Sequence, residues 1–111
     1  MSDEQSREDI LAALYAVIQQ RKAAASDDSY VASLYARGLD KILSKIGEEA
    51  TEVAIAGKGG ERGEVVYEMA DLFFHCLVLL GYYDLPPETV CDELRRRFGL
   101  SGIAEKGARK K

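Results

Sequence analysis

Five acidic residues stand at spacings that suit a hard metal ion. Glu48-Glu49-Ala50-Thr51-Glu52 forms an E-E-x-x-E pattern, and Glu68-Met69-Ala70-Asp71 forms an E-x-x-D pattern. Residues three apart share a helical face, so Glu49 pairs with Glu52 and Glu68 with Asp71. If the two helices pack antiparallel, the carboxylate pairs face each other. Grouped carboxylates repel, and burial without a partner makes them costlier still. Protonation, a nearby lysine or arginine, or a divalent cation relieves that cost. An oxygen-only donor set, in a chain with a single histidine, suits Mg²⁺ with Mn²⁺ as a substitute, rather than zinc. Mg²⁺ keeps waters and phosphate oxygens in its shell, which implies a phosphorylated substrate. The plainer reading of Glu48, Glu49 and Glu52 is a solvated helix face. Glu68 and Asp71 resist that reading, because their helix has little polar surface to spare.

Other residues fit around this constellation. Lys45 and Lys41 lie one and two turns before Glu48 on the same face. They are either ordinary helical ion-pair partners or the groups that bind phosphate beside the metal. Arg21, Lys22 and Tyr30 are weaker candidates for phosphate binding. His75 follows Asp71 by one turn and is either a ligand or a residue that orients one from behind. Ferritin-like di-iron bundles use inward carboxylates too, but need E-x-x-H twice. No P-loop, G-x-G-x-x-G or nucleophile elbow occurs. The chemistry therefore falls to activated water rather than a covalent protein nucleophile.

The elements that must position these residues read as helices throughout. Ile10, Leu11, Leu14, Val17 and Ile18 predict a helix over 8–24, with Ser6 as its N-cap. A polar break at 26–29 precedes a short helix over 30–36, which stops near Gly38. Leu39, Ile42, Ile46, Ala50 and Val53 give the third helix (39–56) its apolar side, with Glu49 at the boundary. Gly57-Lys58-Gly59-Gly60-Glu61-Arg62-Gly63 predicts a glycine-rich loop. The fourth helix (64–82) is apolar almost all round, which marks it as the central one of the bundle. Pro86 and Pro87 open a fifth helix reaching Phe98, and residues 99–111 read as a loosely held tail. The run Arg95-Arg96-Arg97 suits that helix's C-terminal end without a ligand.

Composition limits what this arrangement can be. The 111 residues are 47% apolar and 31% charged, which places them in one globular all-α domain, a small bundle of about five helices. So short a chain buries roughly 60–65% of its potential surface, so dimerisation is a natural completion. A net charge of −4 argues against a protein that coats nucleic acid. The acidic start MSDEQSRED lacks the pattern of a signal peptide. The apolar stretch 72–81 is half the length of a membrane span, so no membrane partner is expected. Cys76 and Cys91 read as buried thiols of a cytoplasmic protein.

The sequence closely resembles the phosphoribosyl-ATP pyrophosphatase family, within the all-helical nucleotide pyrophosphohydrolases. The resemblance is carried by Ser29-Tyr30-Val31-Ala32-Ser33-Leu34, by Lys45-Ile46-Gly47-Glu48-Glu49-Ala50-Thr51-Glu52-Val53, by 67–75, and by the closing stretch 95–106. It implies Mg²⁺-dependent hydrolysis of phosphoribosyl-ATP to phosphoribosyl-AMP and pyrophosphate, the second step of histidine biosynthesis. It also implies a homodimer with active sites near the subunit interface. Joined to the reading of the residues, it makes Glu49, Glu52, Glu68 and Asp71 metal ligands and Glu48 either the group that activates water or a further ligand. The glycine-rich 57–63 stretch is the main departure from the family pattern. Two rivals remain at this point: a house-cleaning pyrophosphatase of free nucleotides, and a non-catalytic helical dimerisation module.

Overall fold

The computed structural model describes residues 3–25 and 29–98. Five helices make up the fold: α1 (Asp3–Arg21), α2 (Tyr30–Arg37), α3 (Leu39–Gly59), α4 (Arg62–Tyr82) and α5 (Pro87–Phe98). No strand occurs among the described residues, as the all-α reading expects. The expected tail over 99–111 lies outside them.

Local chemistry explains most of the boundaries. Ser29 is extended (φ −157°, ψ 135°) and its side chain accepts from the Ala32 N–H, so it caps α2. Gly38, at φ 97°, ends α2 by donating its N–H to the Leu34 carbonyl, a backbone shape that favours glycine. Pro87 opens α5 at its first position, where a missing N–H costs nothing. The Pro86 carbonyl precedes the helix and accepts from both the backbone and the hydroxyl of Thr89.

Two boundaries differ from expectation. α1 begins at Asp3 rather than near Glu8, so Ser6 lies inside the helix and is not its cap. The residues before Ile10 include strong helix formers, and acids in a first turn complement the dipole, so the helix outruns its apolar stripe. The glycine-rich stretch is likewise mostly helical. α3 continues to Gly59, and only Gly60, left-handed at φ 81°, and Glu61 separate it from α4. Glu61 then caps α4, its carboxylate accepting from the Gly63 and Glu64 N–H groups at 2.9 and 2.8 Å. Packing of α3 along α4, the most extensive helix pairing in the molecule, outweighs the helix cost of the glycines.

The core consists of Ile18, Val31, Leu34, Ile42, Leu77 and Val78, with Leu11, Leu14, Tyr35, Ile46 and Phe74 packed around it. It therefore gathers at the second half of α4, where His75, Leu77, Val78 and Gly81 are buried. The first half is not central: Val66, Tyr67 and Phe73 are 69%, 66% and 52% exposed. By length and composition the 21-residue α4 could cross a membrane, twice the span that the 72–81 stretch suggested. The described chain supplies no element to cover that apolar surplus.

Candidate metal centre

Antiparallel packing of α3 on α4 brings carboxylates from both helices to one point. Oxygens of Glu49, Glu68 and Asp71 lie within 4.8 Å of one another. Glu49 is buried, and Glu68 and Asp71 are half-buried. The buried stripe of α3 thus runs through Ile42, Glu49 and Ala56, while Ala50 faces solvent. The helical wheel places Glu49 at the boundary of the apolar side, and the structure shifts the buried side toward it and away from Ala50. A face that buries a carboxylate looks polar when the wheel is drawn from hydrophobicity alone.

Negative charge accumulates in this cluster. Burial pushes the Glu68 carboxyl above its ordinary pKa, and the charges of Glu52, Asp71, Glu49 and Glu64 push it further. Glu52 is close enough to act on Glu68 but stands outside the tight group of three. It lines, with Glu61, Glu64 and Glu68, an open cavity of about 220 Å³.

Lys45 is the cation beside the cluster. Its Nζ lies 3.7 Å from Glu49 and 3.6 Å from Glu48. Partial burial opposes its charge, but Tyr30, Glu48 and Glu49 outweigh that and raise its pKa. Glu48 faces solvent, where the Ser44 hydroxyl donates to it at 3.2 Å. That hydrogen bond, with Lys45 and more remotely Lys41, holds its carboxyl below the usual range. The same contacts favour the charged form of Glu48 and leave it a hydrogen-bond acceptor facing solvent.

His75 is committed on both ring nitrogens. Its Nδ1 is 2.9 Å from the Asp71 carbonyl and its Nε2 is 2.8 Å from the Tyr30 hydroxyl. It touches the turn that carries Asp71 and brings Tyr30 to it, and neither nitrogen is left for a metal.

Sequence reasoning and structure part over Arg21 and Lys22. Lys22 donates to the Gly81 carbonyl at 2.7 Å and pairs with Asp84 at 3.0 Å. Gly81 is ten residues beyond Asp71, about 15 Å along the helix. Arg21 is exposed in the last turn of α1. Neither joins the carboxylates. The reading over 95–97 needed no ligand, and the arginines do pair along α5 with Asp92 and Glu93. The sequence reading missed Ser44, which carries no motif, and Glu61, which the loop assignment hid. An acid directly before a helix start is the signal that could have found Glu61.

The donor set consists of carboxylate oxygens, three converging and a fourth adjacent, with a histidine whose nitrogens are spent. That fits a hard divalent cation better than a soft one.

Comparison with known proteins places the chain among relatives. Residues 11–98 match the family model described as phosphoribosyl-ATP pyrophosphohydrolase. The chain is similar to the phosphoribosyl-ATP pyrophosphatase of Geobacter metallireducens, at 69% identity over 105 residues covering 95% of this chain and 96% of the relative. It is 65% identical to that of Geobacter sulfurreducens over 103 residues, covering 93% and 95%. With that of Methylococcus capsulatus it shares 61% over 102 residues, covering 92% and 97%.

Proposed function

The chain belongs to the phosphoribosyl-ATP pyrophosphohydrolase family, and from that premise we propose that it hydrolyses phosphoribosyl-ATP to phosphoribosyl-AMP and pyrophosphate with Mg²⁺ as cofactor, as the second step of histidine biosynthesis. The observation that carries the reading is the convergence of Glu49, Glu68 and Asp71 from two helices, with Glu68 destabilised by its neighbours.

In this reading Glu49, Glu68 and Asp71 hold the cation, with Glu52 completing the set. Mn²⁺ serves in its place. When bound, the cation neutralises charge on the phosphates and lowers the pKa of the nucleophilic water. Glu48, ionised and solvent-facing, orients that water and takes its proton. The P–O bond between the α- and β-phosphates breaks as a P–O bond to the water oxygen forms. Pyrophosphate leaves as a unit. Lys45 and Lys41 screen the polyphosphate and hold it beside the carboxylates.

The protein works as a homodimer in the same reading. Val65, Val66, Met69, Ala70 and Phe73 line an open apolar concavity of about 380 Å³ on α4 alone, and a second copy gives it the cover that the fold lacks. Cys76 and Cys91, free and half-buried, suit a reducing cytoplasm.

Pyrophosphate release from phosphoribosyl-ATP, ATP, dUTP and dCTP, with and without Mg²⁺, tests the reaction. Fast Mg²⁺-dependent release from phosphoribosyl-ATP alone is expected. Preference for a free nucleotide would move the protein to another substrate class, and no release from any would refute catalysis. Light scattering of Phe73→Glu tests the dimer: the variant is expected at the monomer mass.

A further inference from the structure

The carboxylate cluster divides the molecule's surface into two unlike sides. Toward the α3–α4 turn lie Glu52, Glu61 and Glu64, which repel a polyanion. Toward α2 lie Lys45, paired with Glu49, and Lys41, with Tyr30 beside Lys45 and His75 against the Asp71 carbonyl. The acidic side disfavours a nucleotide's anionic groups, and the α2 side offers lysines and an aromatic ring to it.

Tyr30 stands there in an unusual condition for a surface aromatic. It is 52% exposed, yet three contacts fix it. A carbonyl only accepts, so Nδ1 of His75 carries the proton donated to Asp71, and in the neutral ring Nε2 accepts from the Tyr30 hydroxyl. Phe74 lies nearly parallel to the Tyr30 ring, with centroids 6.2 Å apart and planes 24° apart. The His75 ring meets it edge-on at 5.8 Å. Lys45 is within electrostatic reach. The hydroxyl is thus spent on a buried histidine, and the part of Tyr30 left for a ligand is its ring.

We propose that the exposed face of Tyr30, held in place by His75 and Phe74, is the platform on which the purine ring of the substrate stacks. This rests on the nucleotide reading above. It reassigns Tyr30 from phosphate binding to base recognition, since a pinned ring costs little further entropy on binding and every base has a π-face to offer. His75 is a positioning residue: it fixes Tyr30 on one nitrogen and touches the Asp71 backbone on the other, so base and metal ligand share one frame.

The test compares binding of phosphoribosyl-ATP with binding of inorganic tripolyphosphate, which has no base, by calorimetry in Ca²⁺ to suppress turnover. Wild-type protein is expected to prefer phosphoribosyl-ATP. Tyr30→Leu is expected to weaken phosphoribosyl-ATP by roughly 5- to 100-fold, the range seen when a stacking aromatic is removed, and to leave tripolyphosphate within twofold. Tyr30→Phe keeps the ring and is expected to bind both ligands within threefold of wild type. Equal losses for both ligands would overturn the proposal, as that is what a phosphate contact or a disturbed fold produces. Unchanged binding of both, or no wild-type preference for phosphoribosyl-ATP, would overturn it too. Turnover by the wild type is measured separately, so failure of the reaction reading is told apart from failure of the stacking.

Discussion

At its C-terminal end α4 hands its polar groups to partners. The Val78 carbonyl accepts from the Tyr35 hydroxyl at 2.6 Å, and the Gly81 carbonyl from Lys22 at 2.7 Å. Lys22 also sits 5.6 Å over the Tyr35 ring and pairs with Asp84. The hydrogen bond from Lys22 and its charge hold the Asp84 carboxyl low, and burial pushes the Tyr35 phenol up to about 12. Three to four turns earlier, the same helix sets Glu64, Glu68 and Asp71 against Glu49 and Glu52, and the Glu68 pKa moves the other way. One end is arranged for stability. The other stores repulsion of a kind that a cation would relieve, and misfit of this kind in an otherwise consistent fold is the pattern expected of a functional site.

The strongest way to break that contrast is Glu68→Gln, which keeps shape and removes one charge. Turnover is expected to fall by at least about 100-fold, the scale of losing one electrostatic element of a catalytic site. The metal-free variant is expected to melt higher than wild type. The sign follows from the raised pKa: between its unfolded and folded values the native state binds more protons, so stability falls as pH rises through that window. The gain from Glu68→Gln therefore grows from acid to neutral pH. Excess Mg²⁺ should raise the wild-type Tm and leave the variant's nearly unmoved. A variant that melts lower at neutral pH would show that Glu68 contributes to stability, and the contrast would fail.

At the opposite end Gly81→Ala probes how tightly the latch closes. A Cβ there collides with the Tyr35 hydroxyl and comes 3.4 Å from Ile18 Cγ2. Alanine gains up to about 1 kcal/mol of helix propensity, but overpacking costs about 1–3 kcal/mol, and Tyr35 cannot retreat without losing Val78. The clash is expected to win, lowering Tm by several degrees with turnover unchanged. In a Tyr35→Phe background the same substitution should cost less, and a cycle of the four proteins measures the difference.

A smaller effect is expected from Lys22→Met. It removes a carbonyl contact and an ion pair whose acid is largely exposed, so about 1 kcal/mol is the expected loss of stability. KM and kcat should stay within about twofold of wild type. A tenfold rise in KM would return Lys22 to phosphate binding and merge the two ends into one site.

The difference between these ends also decides what could be read from sequence. Glu49, Glu52, Glu68 and Asp71 announce themselves because i,i+3 spacing is a local rule, and the antiparallel turn makes it a tertiary one. The helices were legible for the same reason, since Ser29, Gly38 and Pro87 act within a few residues of the ends they set. What stayed hidden depends on partners far apart in the chain. Lys22 at the end of a helix looks free to bind phosphate, and only the fold brings it to Gly81. Ala50, read as part of the apolar side, is exposed and Glu49, read as boundary, is buried, because burial here does not follow hydrophobicity. Gly57 and Gly59 read as loop because their local cost is visible and the packing of α3 on α4 that offsets it is not.

The mildest test lies on α5, where acids and arginines pair within one helix. Hydrogen bonds from Arg96 and Arg97 draw the Glu93 pKa down to about 2, with Arg96 Nη2 at 2.7 Å and Arg97 Nε at 3.0 Å. A depressed carboxyl pKa adds stability above its unfolded value, near 4.3, and loses it as pH falls toward 2. Glu93→Gln is therefore expected to melt slightly below wild type at pH 7 and to coincide with it near pH 2. All three side chains are substantially exposed, so the difference should be small and shrink with salt. Subtracting each variant's melting curve from wild type cancels the titration of the remaining carboxylates. The Glu68 and Glu93 differences should then depart from zero in opposite directions as pH rises from 2 to 7. Two glutamates on neighbouring helices would thus report one acid placed to be paired and another placed to be left in need of a cation.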